Sequence, residues 1–273
     1  MLERLRMADA QSLERELLEV AREAAEAGAR ELLAGLARGA GSLDVSTKST
    51  PTDFVSDVDL AAERAVRAVL EERRPNDSIL AEEGGLLRGS SWASVRWLVD
   101  PLDGTVNYIY GIPAFAVSVA CEDESGTLAG VVLDPVRQEC FAATRSGAAL
   151  LNGGEIEVSE RAGDLATAMV ATGFGYDAAV RARQAVVVSR VLPRARDIRR
   201  FGSAALDLAW TACGRFDAYY ERGVNPWDVA AGALIAERAG LRVLTIPAAG
   251  GDPAGVIAAP EGLIDELQAL VVG

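Results

Sequence analysis

The stretch WLVDPLDGTVNY, residues 97–108, ends an apolar segment with two acidic residues. The apolar letters predict a buried strand, and Asp100 falls where that strand emerges. Pro101 fixes its own φ angle and predicts a turn that brings Asp103 back towards Asp100. Two ionised carboxylates about 4 Å apart repel by roughly 4 kcal/mol at an effective dielectric constant of about 20. A shared proton, a nearby Lys or Arg, or a metal ion must therefore offset the repulsion.

A metal ion is the simplest of these three partners, because no basic residue lies between Arg96 and Arg137 in the sequence. Carboxylate oxygens favour hard divalent cations. Gly104 and Thr105 follow the second acid directly and offer unobstructed backbone N–H groups at the start of a predicted short helix. N–H groups at a helix start bind anions, so the stretch also predicts a phosphate position beside the acids.

Composition indicates one large domain or two closely packed ones. Of the 273 residues, 50% are hydrophobic and 25% are charged, which is typical of a soluble globular protein. No apolar run approaches the roughly 20 residues of a membrane span, and the N-terminal residues lack a secretory signal, whether the start is Met1 or Met7. The 3 cysteines are widely spaced, which indicates a reduced, cytoplasmic protein without a disulfide framework.

Net charge and the lack of histidine exclude several functions. The formal net charge of -13 repels a nucleic-acid backbone, and the densest basic stretch, RARDIRR at 194–200, is interpreted as a solvated helix end and strand. With 0 histidines, the sequence has no Ser-His-Asp or Cys-His nucleophile system and no HExxH zinc site. Hydrolytic chemistry must rely on carboxylates, hydroxyls, lysines or metal ions bound through oxygen.

Hydrophobic periodicity predicts helices, an antiparallel meander and then alternating strands and helices. The first half shows helices over 9–38, ended by Gly39 and Gly41, and over 57–74, with a polar, turn-rich segment at 46–56 between them. Short strands follow at 78–82 and 95–100, and the meander occupies 115–152. In the second half, strands at 168–174, 197–201, 216–221, 241–246 and 255–259 alternate with helices at 178–192, 203–213, 226–239 and 260–271.

This order of elements predicts a layered, mixed α and β architecture. An N-terminal half, residues 1–155, carries the meander, and a C-terminal half, residues 156–273, carries the alternating elements. No linker or change of composition separates the halves, so we expect one compact unit.

Three other places put an acid at a strand end or a helix start: Asp59, Glu82 beside Glu83, and Asp228. Each has a local explanation, because the helix dipole favours acids in a first turn and Glu82 precedes a Gly-Gly loop. Taken singly, none of them indicates a functional site.

The stretch WLVDPLDGTVNY closely resembles the central motif of the inositol monophosphatase family of magnesium-dependent, lithium-sensitive phosphatases. Three further segments resemble family motifs in the same order: KSTPTDFVSDVD at 48–59, ILAEEGG at 79–85 and RRFGSAALDLAWTACGRFDAYYERGVNPWDVAAG at 199–232. The resemblance spans roughly residues 10–270. It implies an α+β fold, the layered αβαβα sandwich of the sugar-phosphatase type, and a cytoplasmic homodimer.

The resemblance also implies an activity, which is Mg²⁺-dependent hydrolysis of a small-molecule phosphate monoester by a water molecule that the metal activates. The first expected substrate is inositol 1-phosphate, which would give inositol and phosphate. Two or three Mg²⁺ ions per site are expected, with Mn²⁺ as the alternative ion. Neither a nucleic acid nor a membrane is expected as a partner.

Residue roles carry over onto matching positions of this sequence. One Mg²⁺ would be held by Glu82, Asp100 and the backbone carbonyl of Leu102, and a second by Asp100, Asp103 and Asp228, while Asp59 matches an acid near a weaker third position. Glu82 and Thr105 would orient the attacking water, with Asp103 as the third catalytic residue. The phosphate would bind at Asp103, Gly104 and Thr105, and the alcohol at Gly202, Ser203, Ala204 and Glu221.

The charges agree with this ligand set. Glu82, Asp100, Asp103 and Asp228 carry four negative charges, which two Mg²⁺ ions would balance, so that a dianionic ester could approach despite the net charge of -13. Two ions would also stabilise the attacking and leaving oxygens of an in-line displacement, which needs no covalent intermediate.

Other substrates and another class of function stay open. Similar enzymes act on fructose 1,6-bisphosphate, on 3'(2'),5'-bisphosphate nucleotides or on histidinol phosphate. Glu221, within AYYERG, favours an inositol phosphate, because an acid suits hydroxyl donors rather than a second phosphate. Some bacterial relatives act with the transcription machinery, so a transcription-associated, protein-binding factor is the alternative of another class; the intact acidic ligand set favours the enzyme.

Overall fold

A computed structural model describes residues 2–38, 44–47, 54–90, 95–156 and 162–273, with the side chains of the first helix described from residue 9 onward. Seven α-helices are found in these residues: α1 (Leu2–Arg38), α2 (Asp57–Arg73), α3 (Thr105–Ile109), α4 (Ala178–Val191), α5 (Ala204–Ala212), α6 (Pro226–Arg238) and α7 (Glu261–Val272). Gly39 and Gly41, the predicted end of the first helix, lie outside the described residues.

Helices α1 and α2 pack together on one face of a large sheet. In α1 the buried side chains recur at helical spacing, at Leu17, Val20 and Ala24, and the helix begins earlier than predicted. In α2 the buried positions include Val58, Ala62, Val66 and Leu70, four residues apart. Leu60 is 43% exposed, because a residue two positions from Val58 points to the opposite side of a helix.

The large sheet contains eight strands in the order β10-β9-β8-β7-β6-β5-β3-β4. All neighbours are antiparallel except β3 and β5, which confirms the predicted meander. Its strands are β3 (Ser78–Ala81), β4 (Gly85–Leu87), β5 (Arg96–Asp103), β6 (Ala116–Asp123), β7 (Gly126–Asp134), β8 (Glu139–Thr144), β9 (Leu150–Leu151) and β10 (Gly154–Glu155). The central strands β6 and β7 are nearly continuously buried, because helices cover both faces.

Two smaller sheets complete the strands. A five-stranded sheet has the order β12-β11-β13-β15-β14, parallel across its first three strands and antiparallel across the rest. It is formed by β11 (Met169–Thr172), β12 (Asp197–Arg199), β13 (Ala218–Arg222), β14 (Arg242–Ile246) and β15 (Gly255–Ala259). The predicted turn-rich segment at 46–56 contains two paired strands, β1 (Val45–Thr47) and β2 (Phe54–Ser56), while 48–53 lie outside the described residues.

The helices and sheets pack in five layers. Helices α5 and α6 lie between the two larger sheets and bury apolar side chains against both, from Val132 and Phe141 on one side to Val256 on the other. Helices α4 and α7 cover the outer face of the five-stranded sheet. The order helix, sheet, helix, sheet, helix confirms the predicted αβαβα sandwich. The division into halves at residue 155 stays a prediction, since the α5–α6 layer packs on both sheets.

The opening stretch differs from its prediction at Pro101. Strand β5 continues through Pro101 to Asp103, and its pairing with β6 shifts register between Asp100 and Asp103, so the chain forms an irregular strand rather than a turn. Proline lacks an N–H and is tolerated in a strand where the ladder is interrupted. None of the helices in the described residues is both long and apolar enough to cross a membrane.

Candidate active site

The predicted site residues meet at one cavity of about 530 Å³, where β5 leaves the large sheet and α5 and α6 begin. Two of them, Asp59 and Ser203, are buried behind its wall. The predicted residues that line it are Glu82, Asp100, Leu102, Asp103, Gly104, Thr105, Gly202, Ala204, Glu221 and Asp228. We call Glu82, Asp100, Asp103 and Asp228 the acid side of the cavity.

Asp100 lies at the interruption of strand β5 and is almost completely buried. Its Oδ1 accepts a hydrogen bond of 3.0 Å from the backbone N–H of Leu102. Burial raises the pKa of Asp100 well above its usual value, and the negative charges of Glu82, Asp103 and Asp228 raise it further. A cation among these acids would therefore be stabilised by all of them.

Asp103 is held by the start of helix α5, a hundred residues further along the chain. Its Oδ2 accepts hydrogen bonds from the Ser203 hydroxyl at 2.7 Å and from the Ala205 N–H at 2.6 Å. Burial raises the pKa of Asp103 to about 6, and these two hydrogen bonds oppose the rise. Ser203 also caps α5 by accepting from the Leu206 N–H. One residue therefore both starts the helix and positions an acid of the cavity.

Asp228 occupies the first turn of helix α6, two residues after Pro226. Its Oδ2 accepts a 2.7 Å hydrogen bond from the Asn225 N–H. Burial raises the pKa of Asp228 well above its usual value, and the charge of Asp103 raises it further. Asp228 is therefore both an acid at a helix start, as the sequence alone explains it, and a residue of the cavity wall.

Thr105 is fixed from behind by Asp59. The Thr105 hydroxyl lies 2.9 Å from Asp59 Oδ1 and 3.1 Å from the backbone oxygen of Leu102. Asp59 is 1% exposed, and its Oδ2 accepts from the backbone N–H of Ser56 at 2.8 Å and from the Ser56 hydroxyl. Asp59 therefore contacts the cavity through Thr105, and its place near a third metal stays a prediction.

Gly104 is required by both conformation and packing. Its φ is +102°, in the left-handed region, and a Cβ there would lie 3.0 Å from the Ala114 oxygen and 3.1 Å from Phe115 Cβ. Side chains rarely adopt this conformation. The glycine ends β5 and begins α3, which places the first N–H groups of α3 at the cavity wall.

Glu82 follows strand β3 and lies beside β5, because its N–H donates to the Val99 oxygen at 3.1 Å. The turn after it is held by Glu63 of helix α2, whose Oε2 accepts from the N–H groups of Glu83 at 2.8 Å and Gly84 at 3.2 Å. Of the Glu82-Glu83 pair, only Glu82 lines the cavity among the residues described. Glu63 was not predicted, because in the sequence it resembles any acid on the surface of a helix.

Glu221 lies at the far side of the cavity, near the end of strand β13. The Tyr219 hydroxyl donates to its Oε2 at 2.8 Å, and a Cβ on Gly173 would overlap its carboxylate. Burial raises the pKa of Glu221 to about 7. The glycine is what leaves room for this acid.

Arg200 also lines the cavity, and it is exposed, as the interpretation of 194–200 as a solvated stretch predicts. It is the only Lys or Arg at the wall among the residues that the structure describes. It follows β12 and comes two residues before Gly202, whose φ is +86°. Its neighbours Phe174 and Tyr176, from the segment after β11, were not predicted either. We call Arg200, Phe174, Tyr176 and Glu221 the arginine side.

The donor set fits a hard divalent cation. The acid side and the carbonyl of Leu102 offer only oxygen, which Mg²⁺ and Mn²⁺ prefer. As positioned, no three His, Cys, Asp or Glu side chains within the described ranges form a group that could hold a metal ion. The four acids face one cavity without converging on a point, so ligation requires their side chains to close around the ion.

Comparison with known proteins agrees with this geometry. The model of the inositol monophosphatase family matches residues 13–270. Inositol-1-monophosphatase SuhB of Mycobacterium tuberculosis strain H37Rv is 47% identical over 250 residues, covering 89% of this chain and 86% of that protein. Nus factor SuhB of Pseudomonas aeruginosa is 45% identical over 196 residues, covering 69% and 70%.

A solved structure gives the same fold. The extragenic suppressor protein SuhB of Bartonella henselae superposes with a TM-score of 0.85 at 34% identity, covering 93% of this chain and 98% of that one. Five layers around an acid-lined cavity define a phosphatase with the sugar-phosphatase fold. The chain belongs to the inositol monophosphatase family, whose members are generally metal-dependent.

Proposed function

We propose that this protein hydrolyses inositol 1-phosphate to inositol and phosphate in a Mg²⁺-dependent reaction. The observation that carries the proposal is the meeting of Glu82, Asp100, Asp103 and Asp228, from three separate segments, at one cavity beside Gly104 and Thr105. The substrate is supported by the name of the Mycobacterium tuberculosis relative, an inositol-1-monophosphatase.

The acid side would hold the metal. Glu82, Asp100 and the Leu102 carbonyl suit one ion, and Asp100, Asp103 and Asp228 suit a second. Bound Mg²⁺ would supply Lewis-acid chemistry by lowering the pKa of water and by stabilising negative charge on phosphate oxygens. The raised pKa of Asp100, Asp103 and Asp228 supports this role, because a group of buried acids that repel one another gains most from a cation. A third ion near Asp59 and replacement by Mn²⁺ belong to the same proposal.

Thr105 would orient the attacking water. Both neighbours of its hydroxyl, Asp59 Oδ1 and the Leu102 carbonyl, are hydrogen-bond acceptors, so the hydroxyl donates its proton to one of them. Its remaining lone pair is then an acceptor at the cavity wall, where it would take a hydrogen from the water. Glu82 would accept the other hydrogen. Two fixed acceptors point the oxygen of the water at phosphorus.

Phosphate and alcohol would bind on opposite sides of the cavity. The N–H groups of Gly104 and Thr105 would bind the phosphate, and the carboxylate of Glu221 with the backbone at Gly202 and Ala204 would bind the alcohol hydroxyls. We assign Ser203 to a positioning role instead, because it is fully buried and its hydroxyl donates to Asp103.

Phosphate release from purified protein tests the proposal. Inositol 1-phosphate, fructose 1,6-bisphosphate, 3'-phosphoadenosine 5'-phosphate and histidinol phosphate are compared with Mg²⁺, Mn²⁺ or EDTA, and with and without Li⁺. We expect release that requires Mg²⁺ and is fastest with inositol 1-phosphate. Phosphate release that is equal in EDTA and in Mg²⁺ would contradict the proposed metal dependence. If none of the esters released phosphate, the proposed phosphatase activity would be wrong. The cytoplasmic location, lithium sensitivity and homodimer stay predictions of the resemblance.

A second candidate function is transcription-associated protein binding. It is supported by relatives named Nus factor SuhB, among them the proteins of Pseudomonas aeruginosa and Escherichia coli. The net charge of -13 favours a basic protein surface over nucleic acid as the partner. Pull-down of purified RNA polymerase on the immobilised protein, beside the phosphatase assay, tests it. Retention of polymerase by a variant that has lost phosphatase activity would show that the two functions are separate.

A further inference from the structure

The wall of the cavity around Glu221 is assembled from separate parts of the chain. Residues 174–176, which we call the aromatic segment, follow β11, while Glu221 belongs to β13 and Pro253 to the loop before β15. Pairing between β11 and β13 ends at Thr172 and Tyr220. The aromatic segment therefore needs other contacts to keep its position beside Glu221.

A glutamine of helix α4 supplies such a contact. The Oε1 atom of Gln184 accepts a hydrogen bond of 3.0 Å from the Gly175 N–H, and its Nε2 donates one of 3.0 Å to the backbone oxygen of Arg222. Gln184 is 6% exposed and does not line the active-site cavity. A buried amide whose two ends are both satisfied makes the groups that it joins more rigid. Gln184 thus ties the aromatic segment to the end of β13 from behind the wall.

Arg222 extends this connection to the third part of the wall. Its Nη1 donates to the backbone oxygens of Pro253 at 2.9 Å and Pro247 at 3.0 Å. The Arg222 side chain is buried, like that of Gln184. Gly175, Gln184, Arg222 and Pro253 are therefore connected by hydrogen bonds, and we call this set the buried bridge.

The aromatic segment has a second contact with α4. The Nη1 atom of Arg181 donates to the backbone oxygens of Gly175 at 3.2 Å and Tyr176 at 2.7 Å. Arg181 lies three residues before Gln184, so both side chains leave the helix on neighbouring positions of one face. Loss of the Gln184 hydrogen bonds should therefore shift the aromatic segment rather than release it, and the fold should remain.

The buried bridge encloses Glu221. Arg222 directly follows Glu221 in β13, and Gly173 packs so closely on the acid that an added Cβ would overlap its carboxylate. Gly173 is only two residues before Gly175, so a shift at Gly175 changes the space around the acid. Small displacements of the groups that orient a substrate strongly affect how it is held.

We propose that Gln184 is a positioning residue for the leaving alcohol. It does not touch the substrate. Through the buried bridge it fixes the aromatic segment relative to Glu221, the acid that we propose binds the alcohol hydroxyls. The reacting phosphate should be unaffected, because the N–H groups that orient Asp100 and Asp103 belong to β5 and α5. This inference rests on the proposed phosphatase function.

The variant Gln184→Met tests the buried bridge, because methionine has a similar length to glutamine and lacks its hydrogen bonds. We expect KM for inositol 1-phosphate to rise by about 3- to 10-fold, the ratio that corresponds to one neutral hydrogen bond. The value of kcat should change by less than about twofold, since the acid side is untouched. The inhibition constant of inorganic phosphate should also change by less than about twofold, because phosphate is proposed to bind at Gly104 and Thr105.

Val191→Ala is the matched control, because it removes buried packing from the last turn of the same helix. It should lower the urea concentration at the midpoint of unfolding without changing KM. An unchanged KM in Gln184→Met, a loss of kcat alone, or an equal rise of KM in the control would overturn the positioning role. An equal weakening of inhibition by inorganic phosphate would overturn it as well.

Amide hydrogen exchange tests the buried bridge without a substrate. Gly175 is half-buried and lies outside helices and strands, so slow exchange of its N–H requires the bond to Gln184. We expect slow exchange in the wild type and exchange at least about tenfold faster in Gln184→Met. Fast exchange of Gly175 in the wild type would overturn the bridge.

Failure of the proposed function can be told apart from failure of the bridge. If no ester is hydrolysed, the proposed activity is wrong, whatever the exchange of Gly175 shows. Calorimetric titration with inositol 1-phosphate then decides on Gln184, since the positioning role requires binding that is about 3- to 10-fold weaker in Gln184→Met. The absence of this difference would overturn it.

Discussion

The acid side and the arginine side of the cavity are built in different ways. On the acid side, Asp100, Asp103 and Asp228 are each held by a backbone N–H, and two of these N–H groups belong to the starts of helices α5 and α6. On the arginine side, Arg200 is exposed and is held only by packing against a ring and a glycine. Three of the four acids are therefore oriented before any ligand binds and need only close around an ion, whereas Arg200 can adapt to different alcohols. Substitutions on the acid side should therefore change the rate of hydrolysis, and substitutions on the arginine side should change the preference among substrates.

The largest effect should come from Asp100→Asn. Because Asp100 is proposed as a ligand of both ions, its loss should lower Mg²⁺-dependent phosphate release from inositol 1-phosphate by about a thousandfold or more. The fold should remain, since Asn keeps the acceptor for the Leu102 N–H and removes a charge that its neighbours repel. Asp265→Asn, at an exposed acid of α7, is the control. Thermal unfolding in EDTA should not shift downward, and near-wild-type activity would refute the acid side as the metal site.

Gly104→Ala should lower activity by about 10- to 100-fold. The added Cβ must be accommodated at φ +102° and against Ala114 and Phe115, which displaces the N–H groups proposed to bind phosphate. Gly126→Ala is a matched control, because Gly126 has φ +115° with nothing within 4 Å of a Cβ. Urea unfolding should show a loss of about 1–2 kcal/mol in both variants. Equal activities of the two variants would show that the close packing of Gly104 has no catalytic consequence.

The four residues of the acid side were all named from the sequence, whereas Arg200, Phe174 and Tyr176 of the arginine side were not, for a physical reason. Asp100, Asp103 and Gly104 are contiguous, and their chemistry is visible in the sequence itself. Even there the predicted turn at Pro101 was wrong, because pairing with β6 keeps Pro101 inside an irregular strand.

Long-range contacts leave no such signal. Arg200 and Phe174 meet because β11 and β12 are neighbours in the five-stranded sheet. The sequence alone places Arg200 in an ordinary basic stretch and Phe174 at the end of an ordinary predicted strand. Ser203 is similar, since its role depends on an acid a hundred residues away. A residue whose function depends on a contact with a distant part of the chain looks, in the sequence, like an ordinary helix cap, loop residue or solvated charge.

A moderate effect is expected for Ser203→Ala. This change removes the hydroxyl that donates to Asp103 and the cap of helix α5, so the acid should lose its fixed orientation. We expect a loss of about 10- to 30-fold in kcat, a higher Mg²⁺ concentration for half-maximal activity, and a loss of about 1 kcal/mol in unfolding free energy. Ser203→Thr keeps the hydroxyl and should restore most of the activity. Loss of stability without loss of kcat would reduce Ser203 to a helix cap.

The smallest effect concerns the pH dependence of stability at the arginine side. Burial raises the pKa of Glu221 to about 7, above its usual 4.5, so the folded protein binds a proton that the unfolded chain has released. Its stabilising contribution is complete below about pH 4.5 and is lost as the pH rises through 7. Glu221→Gln imitates the protonated acid and keeps the acceptor for Tyr219. In EDTA, urea unfolding should show that the unfolding free energy of the variant rises by about 1–2 kcal/mol relative to the wild type between pH 5 and pH 8. This is a partial value, because the residue is not fully buried.

Asp177→Asn, at another acid of the cavity wall whose carboxylate caps α4, should show no such rise. A difference between Glu221→Gln and wild type that stays constant with pH would show that Glu221 ionises freely, and the contrast between a fixed acid side and an adaptable arginine side would then rest on Arg200 alone.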